Sequence, residues 1–218
     1  MKKIISVVVS LMLAATLCAC TNGNDSTNSG SDYGNNISNN SSDPFEMGKV
    51  SGNKYSNEFF GIGCTLDSQW TFKTDEEIKE ANNITIDMLD DEIKSQLENA
   101  AIVYDMMATS ESGSSININI ESIGVSGVLT TVESYLSSQT DPLKAALEQV
   151  GLSDAVIENK TYDFAGSSEK GLYIHTSINQ VTFEEAIIVL KRGTHFANIT
   201  VATTSGDLNS ILASFYAI

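Results

Sequence analysis

Hydrophobic and polar positions change their spacing several times along these 218 residues, and each change marks a boundary. An apolar run from Ile4 to Leu17 gives way to an Asn-, Ser- and Gly-rich stretch with almost nothing aliphatic, and aromatic and β-branched residues return near Tyr55. Phe59–Leu66 reads as a strand, followed across a turn at Asp67-Ser68 by a short one at Trp70-Thr71-Phe72. Thr74-Asp75-Glu76-Glu77 has the form of a capping box and predicts a helix start. Leu89, Ile93 and Leu97 recur every four residues, which predicts a helix over 86–99. Strands are expected at 101–108 and 115–123, the second alternating Ile116, Ile118 and Ile120 with Asn117 and Asn119.

Thr131–Ser138 follows as a separate segment. Asp141 as N-cap with Pro142 in the first turn then predicts a helix ending at Gly151, with Leu143, Ala146, Leu147 and Val150 on one stripe. Residues 156–164, 171–178, 181–190 and 194–203 read as four strands joined by short turns, Asn179-Gln180 and Arg192-Gly193 among them. A last helix is expected after Ser205, with Leu208, Ile211, Leu212 and Phe215 facing inward. With two-residue turns, Thr176 falls opposite Phe183 and Val189 opposite Phe196, and both faces of the meander are apolar. Such a sheet needs cover on both sides. The expectation is α+β, an α/β/α sandwich on a mainly antiparallel sheet.

The opening residues carry an address. Lys2 and Lys3, the apolar run and Leu17-Cys18-Ala19-Cys20 have the form of an export signal, with no basic stop-transfer residues after Cys20. The stretch resembles the signal of bacterial lipoproteins, with an aliphatic residue three before the cysteine and a small one directly before it. That resemblance implies cleavage before Cys20 and attachment of diacylglycerol to its sulfur, since bulky Leu17 precedes the rival Cys18. Two acyl chains suffice for stable anchoring. The domains expected are a signal peptide over 1–19, a flexible tether over 20–54 and one sandwich domain over 55–218. A tether of that composition cannot bury enough apolar surface to order itself.

Charge narrows the partners. Loss of residues 1–19 removes Lys2 and Lys3 and no acid, so 10 basic residues face 28 acidic ones and the net charge moves from −16 to −18. Phosphate backbones and anionic head groups are repelled, which argues against nucleic acid and leaves the acyl chains as the contact with the membrane. Cys64 has no partner left in the mature chain and reads as a buried small hydrophobe.

Tyr55-Ser56-Asn57-Glu58-Phe59-Phe60-Gly61-Ile62 followed by Leu66-Asp67-Ser68-Gln69-Trp70, with the order of elements, resembles the Mog1/PsbP-like family of domains. Family members often have a proline shortly before the tryptophan, where Asp67 or Ser68 stands here. The chain also resembles the lipoproteins of Firmicutes that carry such domains. The resemblance implies a binding or assembly role without a shared catalytic set.

Candidate chemistry is sparse. Tyr55, Phe59, Phe60 and Trp70, with Phe72 beside them, form an aromatic set able to line a groove for a ligand or partner peptide. The register puts His175 opposite Glu184, a weak candidate pair that an envelope hydrolase could use, and His195 opposite Leu190. The two histidines then lie too far apart to share a metal. Asp87, Asp90 and Asp91 lack the loop spacing of a calcium site. No nucleophile motif and no complete dinucleotide fingerprint occurs. No catalytic residue, metal or cofactor is expected. The function expected is a non-catalytic binding or scaffold module of the bacterial cell envelope, at the outer face of the cytoplasmic membrane, with an envelope protein or small ligand as partner. An envelope hydrolase and a small-ligand receptor are the alternatives.

Overall fold

Residues 156–203 realise the strand pattern almost residue for residue, because β-branched and aromatic side chains alternate there over long runs. A computed structural model describes residues 45–82, 102–178 and 180–218. Cys20, the tether up to 44, the helix expected over 86–99 and the Asp87, Asp90, Asp91 triplet lie outside the described residues.

Eleven strands in two antiparallel sheets are described. The larger sheet contains β4 (Trp70–Phe72), β5 (Ile102–Ser110), β6 (Ser115–Ser122), β7 (Val156–Phe164), β8 (Ser167–Ile178), β9 (Val181–Arg192) and β10 (His195–Thr203), in the order β4-β5-β6-β10-β9-β8-β7. The smaller contains β1 (Lys49–Ser51), β2 (Lys54–Asn57), β3 (Ile62–Thr65) and β11 (Phe215–Ala217), in the order β1-β2-β3-β11. Three α-helices accompany them among the described residues: α1 (Asp75–Ala81), α2 (Val132–Gln149) and α3 (Leu208–Leu212). The architecture is α+β on a mainly antiparallel sheet.

Both faces of the large sheet are covered. On one, Leu172, Ile174, Phe183, Ile187 and Phe196 pack against Tyr135, Leu136, Leu143 and Leu147 of α2. On the other, Ile116, Ile118, Ile120, Ile188 and Ile199 pack against Tyr55, Ile62 and Cys64 of the small sheet and Leu208, Ile211 and Leu212 of α3. The second covering layer therefore includes a sheet. Sequence reading did not foresee this, because its strands are three or four residues long and carry little periodicity.

Several local expectations change. β3 and β4 are not a hairpin: β3 joins the small sheet and β4 pairs with β5. The first strand begins at Lys49, ahead of the boundary expected at Tyr55. The capping box at Thr74 forms, with Glu77 closing it. Thr131–Gly151 is one helix rather than a segment and a helix: Thr131 is the N-cap and Pro142 lies inside. A proline in a helix interior costs about 3 kcal/mol. Buried Tyr135 and Leu136 before it and Leu143 and Leu147 after it hold the two halves to one face, which offsets that cost. Phe215 is not helical but starts β11, which pairs with β3.

Asp105 interrupts the β5–β6 register as a bulge between Tyr104 and Met106. The Asn82 carboxamide binds the Tyr104 main chain, donating to its carbonyl at 3.0 Å and accepting from its N–H at 2.7 Å.

Candidate binding groove

Two sheet edges end beside each other. A groove of about 600 Å³ lies there, walled by Val50, Leu66, Trp70 and Phe72 and rimmed by Asp67, Lys73, Asp75 and Glu76. The β1–β2 turn is fixed to the end of β3, because Asn53 donates from Nδ2 to the Leu66 carbonyl at 2.9 Å and the Leu66 N–H donates back to Asn53 at 3.0 Å. Asp67 turns the chain into β4 by accepting from the Gln69 N–H at 2.9 Å. Glu111 N–H to Gln69 O and Lys73 N–H to Met107 O flank β4 at 2.9 and 2.8 Å. Antiparallel alternation then puts Thr71 in the hydrogen-bonded pair and turns the main chain of Trp70 and Phe72 toward the open edge.

The groove thus offers an indole and an apolar floor beside the β4 main chain, of which the Trp70 N–H is turned back onto the Asp67 carbonyl at 3.2 Å. Lys73 is taken by Glu77 at 2.7 Å on the exposed surface. Asp67, Asp75 and Glu76 leave the rim acidic. Its lining holds no histidine or cysteine.

The four aromatic residues expected to share a groove do not. Tyr55 is fully buried, its hydroxyl donating to Asp105. Phe59 and Phe60 pack edge-to-face at 5.0 Å, and Phe59 meets Phe45 and His195 at 5.2 and 5.3 Å. The Arg192 guanidinium donates to the Phe59 carbonyl and sits 5.0 Å from its ring. Phe60 lines a different hollow, of about 220 Å³, with Phe164, Glu169 and Leu190. Only Trp70, joined by Phe72, remains at the groove. Aromatic composition marked the set, but Tyr55 lies in β2, Phe59 and Phe60 in the turn ahead of β3, which begins only at Ile62, and Trp70 in β4 of the other sheet.

His175 does lie opposite Glu184. Glu184, however, accepts from the Tyr173 hydroxyl at 2.6 Å, and His175 stacks on the Tyr173 ring at 5.2 Å. That hydrogen bond to the carboxylate pushes the Tyr173 phenol up to about 12. Lys160 caps the same ring, its Nζ 4.6 Å from the centroid. The pair is part of a ladder along β8 and β9 in which the Glu184 carboxylate is engaged by the Tyr173 hydroxyl.

His195 faces Arg192, not Leu190, and Phe196 faces Lys191, not Val189, because the turn is Gly193-Thr194 with Gly193 at φ +62° in its first position. Eight residues of β9 separate the partners of the two histidines, roughly 26 Å at strand rise. Burial holds the His195 imidazole below the usual range. Among the described residues no three potential metal ligands cluster.

A second polar feature lies under α2. Tyr135 donates to Glu121 at 2.7 Å, and Asn198 donates to Tyr135 and Asn119 at 2.9 and 3.0 Å. Beside this network the Asn117 carboxamide, Asn119 Nδ2, Thr200 Oγ1 and Glu185 Oε2 are buried without a hydrogen-bond partner. Burial raises Glu185 to about 8. The cavity at its margin, about 20 Å³ between Tyr135, Gln139 and Asn198, has room for one water.

No family model matches the chain, and no curated protein matches it. Among solved structures, the solution structure of a cyanobacterial PsbP (CyanoP) from Synechocystis is similar over 87% of this chain and 98% of its own, with 11% identity and a TM-score of 0.44. A crystal structure from Bacteroides thetaiotaomicron is similar over 78% of this chain, with 7% identity and a TM-score of 0.39. This chain spans about half of that protein's length, 49% of it. Neither likeness bears on function.

Sequence reading missed Asp105 and Glu185. Asp105 stands between Tyr104 and Met106, and Glu185 shares its face of β9 with Phe183 and Ile187; an acid at such a position is the available signal of a buried carboxyl.

Proposed function

We propose that this protein is a lipid-anchored, extracytoplasmic binding or scaffold module, without catalysis, held at the outer face of the cytoplasmic membrane through Cys20. Its partner is an envelope protein that seats in the Trp70 groove. The observation that carries this reading is the groove itself: an apolar floor with an acidic rim, beside a strand that is the edge of its sheet among the described residues. The export signal ending at Cys20 and the acidity of the chain supply the setting. A tether raises the effective concentration of such a module for a partner on the same surface.

Mild cross-linking of intact membranes tests it. The full chain recovers one stoichiometric protein partner, and Trp70→Ala, which removes the only tryptophan, does not. Equal recovery from both chains, or none from either, rules out the groove as the docking site. Cys20→Ala moves the protein to the soluble fraction; if that variant still pellets with membranes in high salt, the anchor is wrong.

A further inference from the structure

We infer that β7 is a self-association edge: two copies of this chain join by antiparallel pairing of Val156–Phe164 about a two-fold axis at Asn159. Among the described residues β7 is the last strand of the large sheet and has a neighbour on one side only, β8. At nine residues it is three times as long as β4, the edge strand at the opposite end, and most of it is exposed. A long open edge of this kind presents a row of unpaired main-chain groups.

The direction of those groups follows from the turn. Ala165 and Gly166 both have positive φ, +48° and +79°, as a two-residue type I′ hairpin requires. Its closing pair, Phe164 and Ser167, is hydrogen-bonded, so Tyr162, Lys160, Glu158 and Val156 alternate with it in pairing to β8. The main-chain groups of Ile157, Asn159, Thr161 and Asp163 point outward.

Two-fold antiparallel pairing centres on a residue, and the charges select which. An axis at Lys160 sets Lys160 against itself, and an axis at Glu158 sets Glu158 against itself. With the axis at Asn159, Glu158 of each copy faces Lys160 of the other, twice over, in the close non-hydrogen-bonded position. The same register brings Val156, 43% exposed in one copy, opposite Tyr162 of the second. Lys160 is held on that face by the Tyr162 and Tyr173 rings, 5.1 and 4.6 Å from its Nζ. The net negative charge of each copy opposes approach, but beyond about 8 Å it is screened at physiological salt.

Disulfide trapping in membranes bearing the full chain tests the register. Asn159→Cys meets its own copy at about 5.5 Å between Cα atoms, a span that a disulfide closes. The expected result is conversion of most of the chain to a covalent dimer on mild oxidation, and little from Asp163→Cys or from the parent, whose Cys64 is buried. Adding Glu158→Lys or Lys160→Glu lowers the yield at least tenfold, and the two together restore it. Monomer alone, an adduct with a different protein, or a yield indifferent to the charge reversals overturns the inference.

Discussion

The Tyr55 hydroxyl donates to Asp105 Oδ2 at 2.5 Å, joining the small sheet to the bulge in β5. Asn57 Nδ2 donates to the same oxygen at 2.8 Å, and the Gly48 N–H donates to Oδ1 at 2.6 Å. Burial nonetheless holds the Asp105 carboxyl above the usual range, because desolvation outweighs three donors. Removing the acceptor leaves those donors buried and unpaired. Asp105→Ala is expected to cost about 3–5 kcal/mol and Tyr55→Phe about 1–2 kcal/mol, at roughly 1–3 kcal/mol per stranded group. Urea unfolding of both variants checks the order; equal losses would mean that Tyr55 is the one donor that matters.

Glu185 makes stability fall as pH rises. Its folded-state value, about 8, lies above the roughly 4.3 of an exposed glutamate. Between those limits the native chain holds a proton that the unfolded chain has released. The stability tied to this group is complete below pH ~4.3 and is lost as pH rises through about 8. Glu185→Gln should flatten that decline. Melting temperatures of the two chains from pH 5 to 9 give the answer, and parallel curves would assign the pH dependence elsewhere.

Cys64 should be inert in the native state. It is fully buried, and desolvation pushes its thiol up to about 12, far from the thiolate that alkylating agents need. Mass spectrometry after iodoacetamide at pH 8 is expected to find Cys64 modified in urea and unmodified without it. Rapid native labelling would mean that the small sheet opens readily.

Pro142→Ala should stabilise α2. Proline cannot donate to the Ser138 carbonyl, four residues back, and alanine restores that bond. The expected gain is about 1–3 kcal/mol, a rise of several degrees in Tm. A lower Tm would show that packing of the proline ring matters more than the missing bond.

These cases also show what a sequence can disclose. The meander from Val156 to Thr203 was legible because long alternating runs fix both type and face, and the Asn179-Gln180 turn placed His175 against Glu184 correctly. Gly193 misled because a glycine fits either position of a two-residue turn, so the next pairing slipped by two residues while keeping its face. Asp141 and Pro142 misled because local rules start a helix there, whereas tertiary burial runs one helix through them from Val132. Trp70 was identifiable as an aromatic candidate, but its separation from Phe59, in the β2–β3 turn, depends on which sheet each neighbouring short strand joins. That choice is made by contacts far apart in the chain, such as Tyr55 with Asp105.

The arrangement at Phe45 has a mechanical consequence. This ring stacks on His195 at 5.1 Å, and three residues later Gly48 is bonded to Asp105 in the interior. Tension pulled along the residues ahead of Phe45 would therefore meet a ring stack on β10 and a buried carboxylate before it reached β1. Force applied ahead of Phe45 would enter the large sheet at β10 and at the β5 bulge, and would reach the small sheet through the Asp105 bonds to Tyr55 and Asn57.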